Sequence, residues 1–434
     1  MSIDIFSFQN EMKKAFDEQV NINLSCIDKI DGVIDSRIGL ENEYLIVNND
    51  MRPVSQSFRD SILHEEPLLK RELGISQIEL NTIPISIENG HEEVLYFVKE
   101  QEYAIAKKVK NYGCSIIRIG CYPGSLNDLQ ATYDPEHNQK ILDIYGKMRR
   151  EYFDSYIGNV KIGNRIHELI SGCQASELNI EVNPDKAIPL LNKTYEISPL
   201  FIALSANSPI IDLSNTGYLE VRNVIWKKGY ELRTFDEYCN NDSFRTYFPK
   251  DYYKNMSQYW EDMSKQLYIK HDVNNAFINN QKMFWRLARL KMMYSKCFLE
   301  TRFMSMQPTC EEEIAIHLAL FAILMLSAES EKNLLPLSFV KENFRRTTRY
   351  GIDTQLYELR NGVNTITERY ANDILEEYIE KAIQYWKKIS VSSAIFIEDV
   401  LHKKLDKGPA ALEQIEFLKN HTADELIKHY AVKV

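Results

Sequence analysis

Five short segments of this chain alternate apolar and polar residues, and each of them carries a glutamate next to a strongly apolar residue. In a β-strand, successive side chains point to opposite faces, so residues two apart share a face. We therefore predict strands of one sheet, with an apolar face packed on helices and a polar face on which carboxylates converge. The five segments are 38–47, 76–82, 176–182, 218–224 and 298–304.

Helical spacing of apolar residues dominates elsewhere, and beyond residue 309 we predict helices and no strand. This order indicates an α+β fold, with a catalytic antiparallel-sheet region at 1–309 and a helical region at 310–434 that belongs to the same catalytic unit. The apolar run 314–328 is shorter than a bilayer span of roughly 20 residues and is predicted to be a buried helix. A further strand is predicted at 115–120, and helices at 92–112, 140–156, 195–205, 311–332, 337–349, 363–390, 392–404 and 410–430.

Composition narrows the class of protein. The chain has 434 residues and a formal net charge of -10, which argues against a nucleic-acid footprint or an anionic membrane surface. Small-molecule substrates are the better prediction. Seven cysteines without CxxC spacing indicate neither a disulfide framework nor a zinc site. The first 19 residues lack an apolar signal core, so a cytoplasmic location is the default expectation, and homodimer formation stays open.

The converging carboxylates suggest a metal site. Glu41 and Glu43 share a face of their strand, and Glu79, Glu177 and Glu300 occupy the same kind of position in three other segments. Carboxylate oxygens without clustered His or Cys favour Mg²⁺ or Mn²⁺, and such ions would relieve the repulsion between like charges. The alternative is an ordinary wetted strand face, but lysine is absent from all five segments.

Two arginines share faces with acidic residues in this pattern. Arg222 follows Glu220 by two positions, and Arg302 follows Glu300 in the same way. Each arginine would clamp a phosphate or a substrate carboxylate in bidentate geometry, or form a cross-strand salt bridge.

In their order along the chain, these segments resemble the glutamate–cysteine ligase type 2 family, which includes bacterial carboxylate–amine ligases of the glutamine synthetase superfamily. The paired glutamates after Gly39 are similar to the family's first strand. Other similar elements are Glu177-Leu178-Asn179-Ile180-Glu181, the helix end at 198–209, Arg222-Asn223-Val224-Ile225-Trp226, Leu299-Glu300-Thr301-Arg302 and the basic segment at 345–353.

The resemblance implies a curved antiparallel sheet with the active site on its concave face. It also implies an ATP-dependent ligase that forms an amide through an acyl phosphate, by γ-glutamyl transfer from glutamate to cysteine or to another amino-acid or peptide amine. Two or three Mg²⁺ ions would be held by the five glutamates. The implied substrate residues are Asn179, Arg222, Trp226 and Tyr122, the implied catalytic residues Arg222 and Arg302, and the implied nucleotide residues Arg233, Arg302, Arg345 and Arg349.

Some positions depart from the family pattern. Glu177 stands where relatives have His or Gln, and Gly120-Cys121-Tyr122-Pro123 replaces a Gly-Thr-His-Pro type loop. Two other functions stay open: a phosphotransferase that acts on a small acid or guanidino group, and a non-catalytic protein that binds nucleotide or amino acid. The aromatic segment 242–260 is interpreted either as a lid or substrate wall, or as a surface helix with aromatic packing.

Overall fold

The computed structural model of the protein describes residues 5–30, 32–64, 66–88, 90–130, 156–163, 165–229, 246–266, 268, 272–328, 333–360 and 365–434. Arg233 lies outside these residues, as does all but the last residue of the helix predicted at 140–156.

The strands are β1 (Ile34–Val47), β2 (Leu69–Arg71), β3 (Gln77–Asn81), β4 (Ile85–Ser86), β5 (Ser115–Ile117), β6 (Tyr156–Ile157), β7 (Val160–Lys161), β8 (Ser176–Val182), β9 (Ile210–Ile211), β10 (Ser214–Asn215), β11 (Ala288–Met293), β12 (Lys296–Thr301), β13 (Gln355–Arg360) and β14 (Thr365–Tyr370).

The helices are α1 (Ile5–Ser25), α2 (Gln56–Leu63), α3 (Glu92–Lys110), α4 (Ile166–Ile170), α5 (Pro184–Ser205), α6 (Arg222–Gly229), α7 (Met256–Ser264), α8 (Ala276–Lys282), α9 (Cys310–Ala328), α10 (Leu337–Tyr350), α11 (Ala371–Lys387), α12 (Val391–Lys407), α13 (Ala410–Phe417) and α14 (Ala423–His429).

One eight-stranded sheet organises the molecule. Its order is β11-β12-β8-β1-β3-β2, with β4 and β5 also paired to β1, and every pairing is antiparallel. The sheet is curled into a half-barrel. The predicted curved antiparallel sheet with flanking helices is therefore confirmed.

Strand β1 lies at the centre of this sheet, and its alternate residues face two different environments. Leu40, Tyr44 and Ile46 are buried against helices, while Glu41 and Glu43 point to the opposite face. Helix α9 packs on α5, α11 and α12 behind the sheet, which confirms that the apolar run 314–328 is a buried helix. Among the described residues, no helix combines the length and the apolarity needed to cross a bilayer.

Two predictions about the strands are wrong. Segment 218–224 is not a strand, because α6 begins at Arg222 and the hydroxyl of Ser208 accepts the amide hydrogens of Val221 and Arg222 at 3.0 and 3.2 Å. This capping satisfies amides that the first turn of a helix leaves without partners. In place of a strand, the backbone of Glu220 forms an isolated β-bridge with Ser208.

The C-terminal region also contains strands, contrary to prediction. β13 and β14 form a two-stranded antiparallel sheet, and the helix predicted to start at 363 begins at Ala371. Thr365, Ile366 and Thr367 are β-branched and favour an extended backbone over a helix.

The aromatic segment near 242–260 belongs mainly to the core. In its described part, Phe248, Tyr253, Tyr259 and Trp260 are buried, and the Trp260 ring lies 5.2 Å from that of Phe277. These four side chains are thus part of the packing and do not form a lid.

Candidate active site

Six glutamates meet on one face of the sheet in two groups of three. The first trio is Glu41, Glu177 and Glu300, and the second trio is Glu43, Glu72 and Glu79. Within each trio, one carboxylate oxygen from every member lies within 4.8 Å of the others. All five glutamates predicted as metal ligands are therefore brought together.

Strand register explains this convergence. Glu41 of β1 lies directly opposite Glu177 of β8, and Glu43 lies opposite Glu79 of β3. Glu300 of β12 lies opposite Asn179, the next residue of β8 on the same face. Residues directly opposite each other in an antiparallel pair have Cβ atoms about 5 Å apart, so the pairing alone places like charges in contact.

Cations surround the first trio. Arg289 of β11 donates through Nε and Nη2 to both oxygens of Glu300, at 2.6 and 2.9 Å. The Nζ atom of Lys291 lies 3.0 Å from Oε1 of Glu41 and 2.7 Å from Oε2 of Glu300. Arg302 contacts Glu300 and also donates to Oε2 of Glu177 at 2.8 Å. Each carboxylate of this trio therefore has an ion-pair partner.

The pKa values of the first trio reflect this pairing. Burial alone would raise the pKa of Glu41, but Lys291, Arg302 and Arg289 together outweigh it, and the pKa lies below its ordinary value. Burial raises the pKa of Glu177 to about 7 against the opposing effect of Arg302. Burial and the charge of Arg302 together lower the pKa of Arg289 to about 9. Positive charge is thus already crowded at this trio.

The second trio has a different environment. Among the described residues, no Lys or Arg forms an ion pair with Glu43 or Glu79; Glu43 accepts the amide hydrogen of Ala175 at 2.5 Å, and Glu79 accepts from the amide of Asn81. Burial, followed by repulsion from Glu41, raises the pKa of Glu79 to about 7. Burial raises the pKa of Glu43, and burial with repulsion from Glu79 raises that of Glu72 well above its ordinary value.

The donor set of the second trio fits a magnesium ion. Three carboxylates converge with raised pKa values, and a divalent cation would replace the protons that such a cluster otherwise retains near neutral pH. Oxygen-only ligands suit Mg²⁺ or Mn²⁺. The first trio fits less well, since Lys291 already contacts two of its three carboxylates.

Arg222 and Arg302 are close to each other but differ in what they contact. Nη2 of Arg222 donates to the carbonyl oxygens of Arg302 and Met304, at 2.7 and 3.1 Å, and Nε lies 3.9 Å from Oε1 of Glu220. Arg222 thus stabilises the segment that carries Arg302. The guanidinium of Arg302 itself faces Glu177 and Glu300 on the acidic side of the sheet.

The other predicted substrate residues occupy separate positions. Asn179 donates to Oε1 of Glu41 at 2.9 Å and lies within the first trio. Trp226 lines a cleft beside Arg222 and Arg302, where its ring lies 5.7 Å from that of Trp285. Tyr122 is fully buried, and its hydroxyl donates to the carbonyl of Met51 at 3.0 Å.

The predicted nucleotide residues of the basic segment lie on helix α10. Arg345 is largely exposed and pairs with Glu342 of the same helix at 2.7 Å. The guanidinium of Arg349 lies 5.6 Å from the centre of the Tyr218 ring. Arg345 and Arg349 therefore do not contact either trio directly, and Arg302 is the predicted nucleotide residue that does.

A buried polar network lies behind the acidic face. Asn42 donates to Oε1 of Glu313 at 2.6 Å, and its Oδ1 accepts from Ser176, its cross-strand partner, at 3.0 Å. The hydroxyl of Ser176 lies 2.7 Å from Nε2 of His317, and Arg118 pairs with Glu313. A slip of β1 by one residue would break these bonds and turn its acidic residues toward the helices, so the network helps to hold the register.

Sequence reasoning missed Glu72, Arg289 and Lys291. The alternation Arg289-Leu290-Lys291-Met292 was the available signal for the two cations, since it has the same period as the acidic strands. Glu72 follows the three-residue strand β2, which is too short to show an alternation of apolar and polar residues, so the sequence did not indicate its position.

Comparisons with known proteins identify the family of this chain and the relatives it resembles. Residues 37–385 match the model of the family described as glutamate–cysteine ligase family 2. A relative from Solibacter usitatus, provisionally named glutamate–cysteine ligase 2, is 24% identical over 354 residues, which are 79% of each chain. One of the same name from Chloroflexus aggregans is 23% identical over 351 residues, which are 78% of each chain.

Solved structures show the same fold. The glutamate–cysteine ligase of Francisella tularensis, solved in complex with AMP, superposes with a TM-score of 0.59 at 13% identity and covers 93% of this chain and 89% of that one. A bifunctional glutathione synthetase from Pasteurella multocida gives a TM-score of 0.50 at 12% identity, over 96% of this chain and 54% of that one. With the family model spanning most of the sheet and both trios, the chain belongs to glutamate–cysteine ligase family 2, a family of ligases.

Proposed function

We propose that this protein is an ATP- and Mg²⁺-dependent ligase that joins a substrate carboxylate to an amine, most specifically the γ-carboxylate of glutamate to the amine of cysteine. Whether another amino acid or a peptide end replaces cysteine stays open. The observation that carries the proposal is the convergence of both acidic trios on one sheet face, in a chain of this family.

The proposed reaction has two steps. A carboxylate oxygen of the acid attacks the γ-phosphorus of ATP, and ADP leaves, which gives an acyl phosphate. The amine nitrogen then attacks the acyl carbon, inorganic phosphate leaves, and the nitrogen loses a proton as the amide forms. Phosphoryl transfer of this kind depends mainly on positioning and on stabilising negative charge at the phosphoryl oxygens.

Residues on the acidic face suit these needs. Magnesium held by the second trio, Glu43, Glu72 and Glu79, would supply positive charge to the phosphoryl oxygens. Arg302 is fixed by two carboxylates and would orient a phosphoryl or carboxylate group by hydrogen bonds. Its backbone is in turn held by Arg222, for which we propose a positioning role.

The amino-acid substrates are proposed to bind beside Arg302, at the mouth of the narrow cleft that Trp226 lines. Trp226 and Trp285 give it an apolar wall, while Arg222 and Lys227 add positive charge. A wall of this composition matches amino acids, which combine a charged carboxylate with a small side chain. A nucleotide role for Arg345 and Arg349 remains a prediction.

A substrate screen tests the proposal. Purified protein is incubated with ATP, Mg²⁺ and pairs of amino acids, ADP release is measured, and products are identified by mass. We expect an amide of the two amino acids, with one ADP and one phosphate released for each. A stable phosphorylated acid without amide would instead indicate a phosphotransferase, and absence of ADP release with every pair would contradict the ligase assignment.

A matched pair of variants connects the activity to the trios. Glu43→Gln should lower ADP release at least about a hundred-fold, since even indirect partners of a metal site contribute 10- to 100-fold. Glu416→Gln, which makes the same change at an exposed position of α13, should have no effect. Circular dichroism checks that both variants are folded. Full activity of Glu43→Gln would remove the second trio from the mechanism.

A further inference from the structure

The ammonium of Lys291 lies where a divalent ion of the first trio would have to bind. Its Nζ atom is 3.0 Å from Oε1 of Glu41 and 2.7 Å from Oε2 of Glu300. Magnesium binds carboxylate oxygens at about 2.1 Å. An ion that used these oxygens would share them with the ammonium, and two cations in contact with the same oxygens repel each other strongly.

Asn179 is oriented toward the ammonium. Its Nδ2 donates to Oε1 of Glu41 at 2.9 Å, and its Oδ1 lies 3.4 Å from Nζ of Lys291. The opposite orientation of the amide would place an N–H group against the ammonium and an oxygen against the carboxylate. The one acceptor atom of this side chain is therefore turned to Lys291 and the donor to Glu41.

Charges at the first trio balance without any metal. Three carboxylates meet three cations, namely Arg289, Lys291 and Arg302, and all three cations come from β11 or from the residue after β12. Glu300 is fully buried among them. A divalent ion added to this group would leave an excess of positive charge in a poorly hydrated place, which is costly.

We propose that Lys291 is the resident cation of the first trio and that a divalent ion binds in the second trio only. The inference rests on the proposed function to the extent that the second trio holds Mg²⁺. Under this proposal the protein itself binds one divalent ion, where the sequence predicted two or three. Lys291 then provides a fixed positive charge on the acidic face, and its side chain keeps 17% of its surface exposed on that side.

Counting bound ions tests this proposal without any turnover. Manganese replaces magnesium as the probe, nucleotide is left out so that every bound ion is held by protein, and bound Mn²⁺ is counted by electron paramagnetic resonance during a titration. We expect one Mn²⁺ for each wild-type chain and none for Glu79→Gln. Lys291→Met, which keeps a linear side chain of nearly the same length but removes the ammonium group, should bind two.

Two further variants sharpen the count. Lys291→Gln keeps a hydrogen-bond donor beside Glu41 and serves if Lys291→Met does not fold; it should also bind a second ion. Lys296→Met removes another ion-paired lysine of the same hairpin, whose partner Glu181 lies outside both trios, and should bind one ion like the wild type.

The results separate the two proposals. Two ions in the wild-type protein, or a single ion in folded variants of Lys291, would overturn the role given to Lys291 while leaving the ligase proposal intact. No bound ion in the wild type would overturn both this role and the proposed metal dependence.

Discussion

The two acidic trios lie side by side on one sheet and share strand β1, yet their surroundings differ. Glu41 of the first trio and Glu43 of the second are two residues apart on β1. The first trio faces β11 and β12, which bring three cations, whereas the second faces β2 and β3, from which no ion-paired Lys or Arg reaches Glu43 or Glu79 within the described residues. The neighbouring strands, more than the carboxylates, thus decide whether cations compensate a trio.

The largest effect on stability is expected from removing a negative charge from the first trio. Glu300→Gln should lower the free energy of unfolding by about 3–5 kcal/mol, because it leaves Arg289, Lys291 and Arg302 buried with too little negative charge. Urea denaturation of the metal-free protein measures it. The exposed control Glu416→Gln should cost less than about 1 kcal/mol. Equal effects of the two changes would mean that the first trio is not a charge-balanced network.

In the second trio, replacing a glutamate by glutamine is expected to raise the free energy of unfolding instead of lowering it. The pKa of Glu79 is about 7 in the folded protein, above its ordinary 4.5, so between these pH values the folded state binds more protons than the unfolded one. The contribution of protonated Glu79 to the free energy of unfolding is fully present below pH 4.5 and is lost as the pH rises through 7. Metal-free Glu79→Gln should therefore be more stable than wild type at pH 8, by on the order of 3 kcal/mol.

Chemical denaturation at pH 5, 6, 7 and 8 follows this difference. Mg²⁺ should stabilise the wild type at pH 8 and leave Glu79→Gln unchanged, which reverses their order. A difference between the two proteins that is the same at every pH would show that Glu79 is not held among like charges.

The smallest effect concerns the turn that joins β11 to β12. Tyr294 and Ser295 have φ values of 53° and 59°, in the left-handed region that Asn and Gly adopt more readily. The double change Tyr294→Asn and Ser295→Gly should raise the free energy of unfolding by about 0.5–1 kcal/mol, which is measured as a higher melting temperature. Mn²⁺ binding should not change, since the substitutions lie away from both trios. A changed ion count would mean that the hairpin also shapes the second trio.

Sequence alternation was sufficient for part of the site. Glu41, Glu43, Glu79, Glu177 and Glu300 each stand next to at least one apolar residue in a strand, and register then brings them together. Glu220 and Arg222 showed the same spacing, but two residues of alternation do not distinguish a strand from the start of a helix. Here the hydroxyl of Ser208, distant in sequence, decided the outcome by capping α6.

The cations were harder to predict for a physical reason. Arg289 and Lys291 alternate with apolar residues on an edge strand, where such a pattern normally indicates contact with water. Arg289 meets Glu300 because the two lie directly opposite each other in the β11–β12 hairpin, while the curl of the sheet brings Lys291 to Glu41 of the more distant strand β1. The strand β14 was missed because its six residues continue directly into α11.

The hairpin formed by β11 and β12 is a single continuous stretch of chain, yet it carries Arg289, Lys291 and Glu300 together. If Lys291 occupies the first trio as proposed, exchanging this hairpin between relatives should change how many ions the protein binds while leaving the central strands unchanged. The number of bound ions would then depend on one segment that a protein engineer can replace.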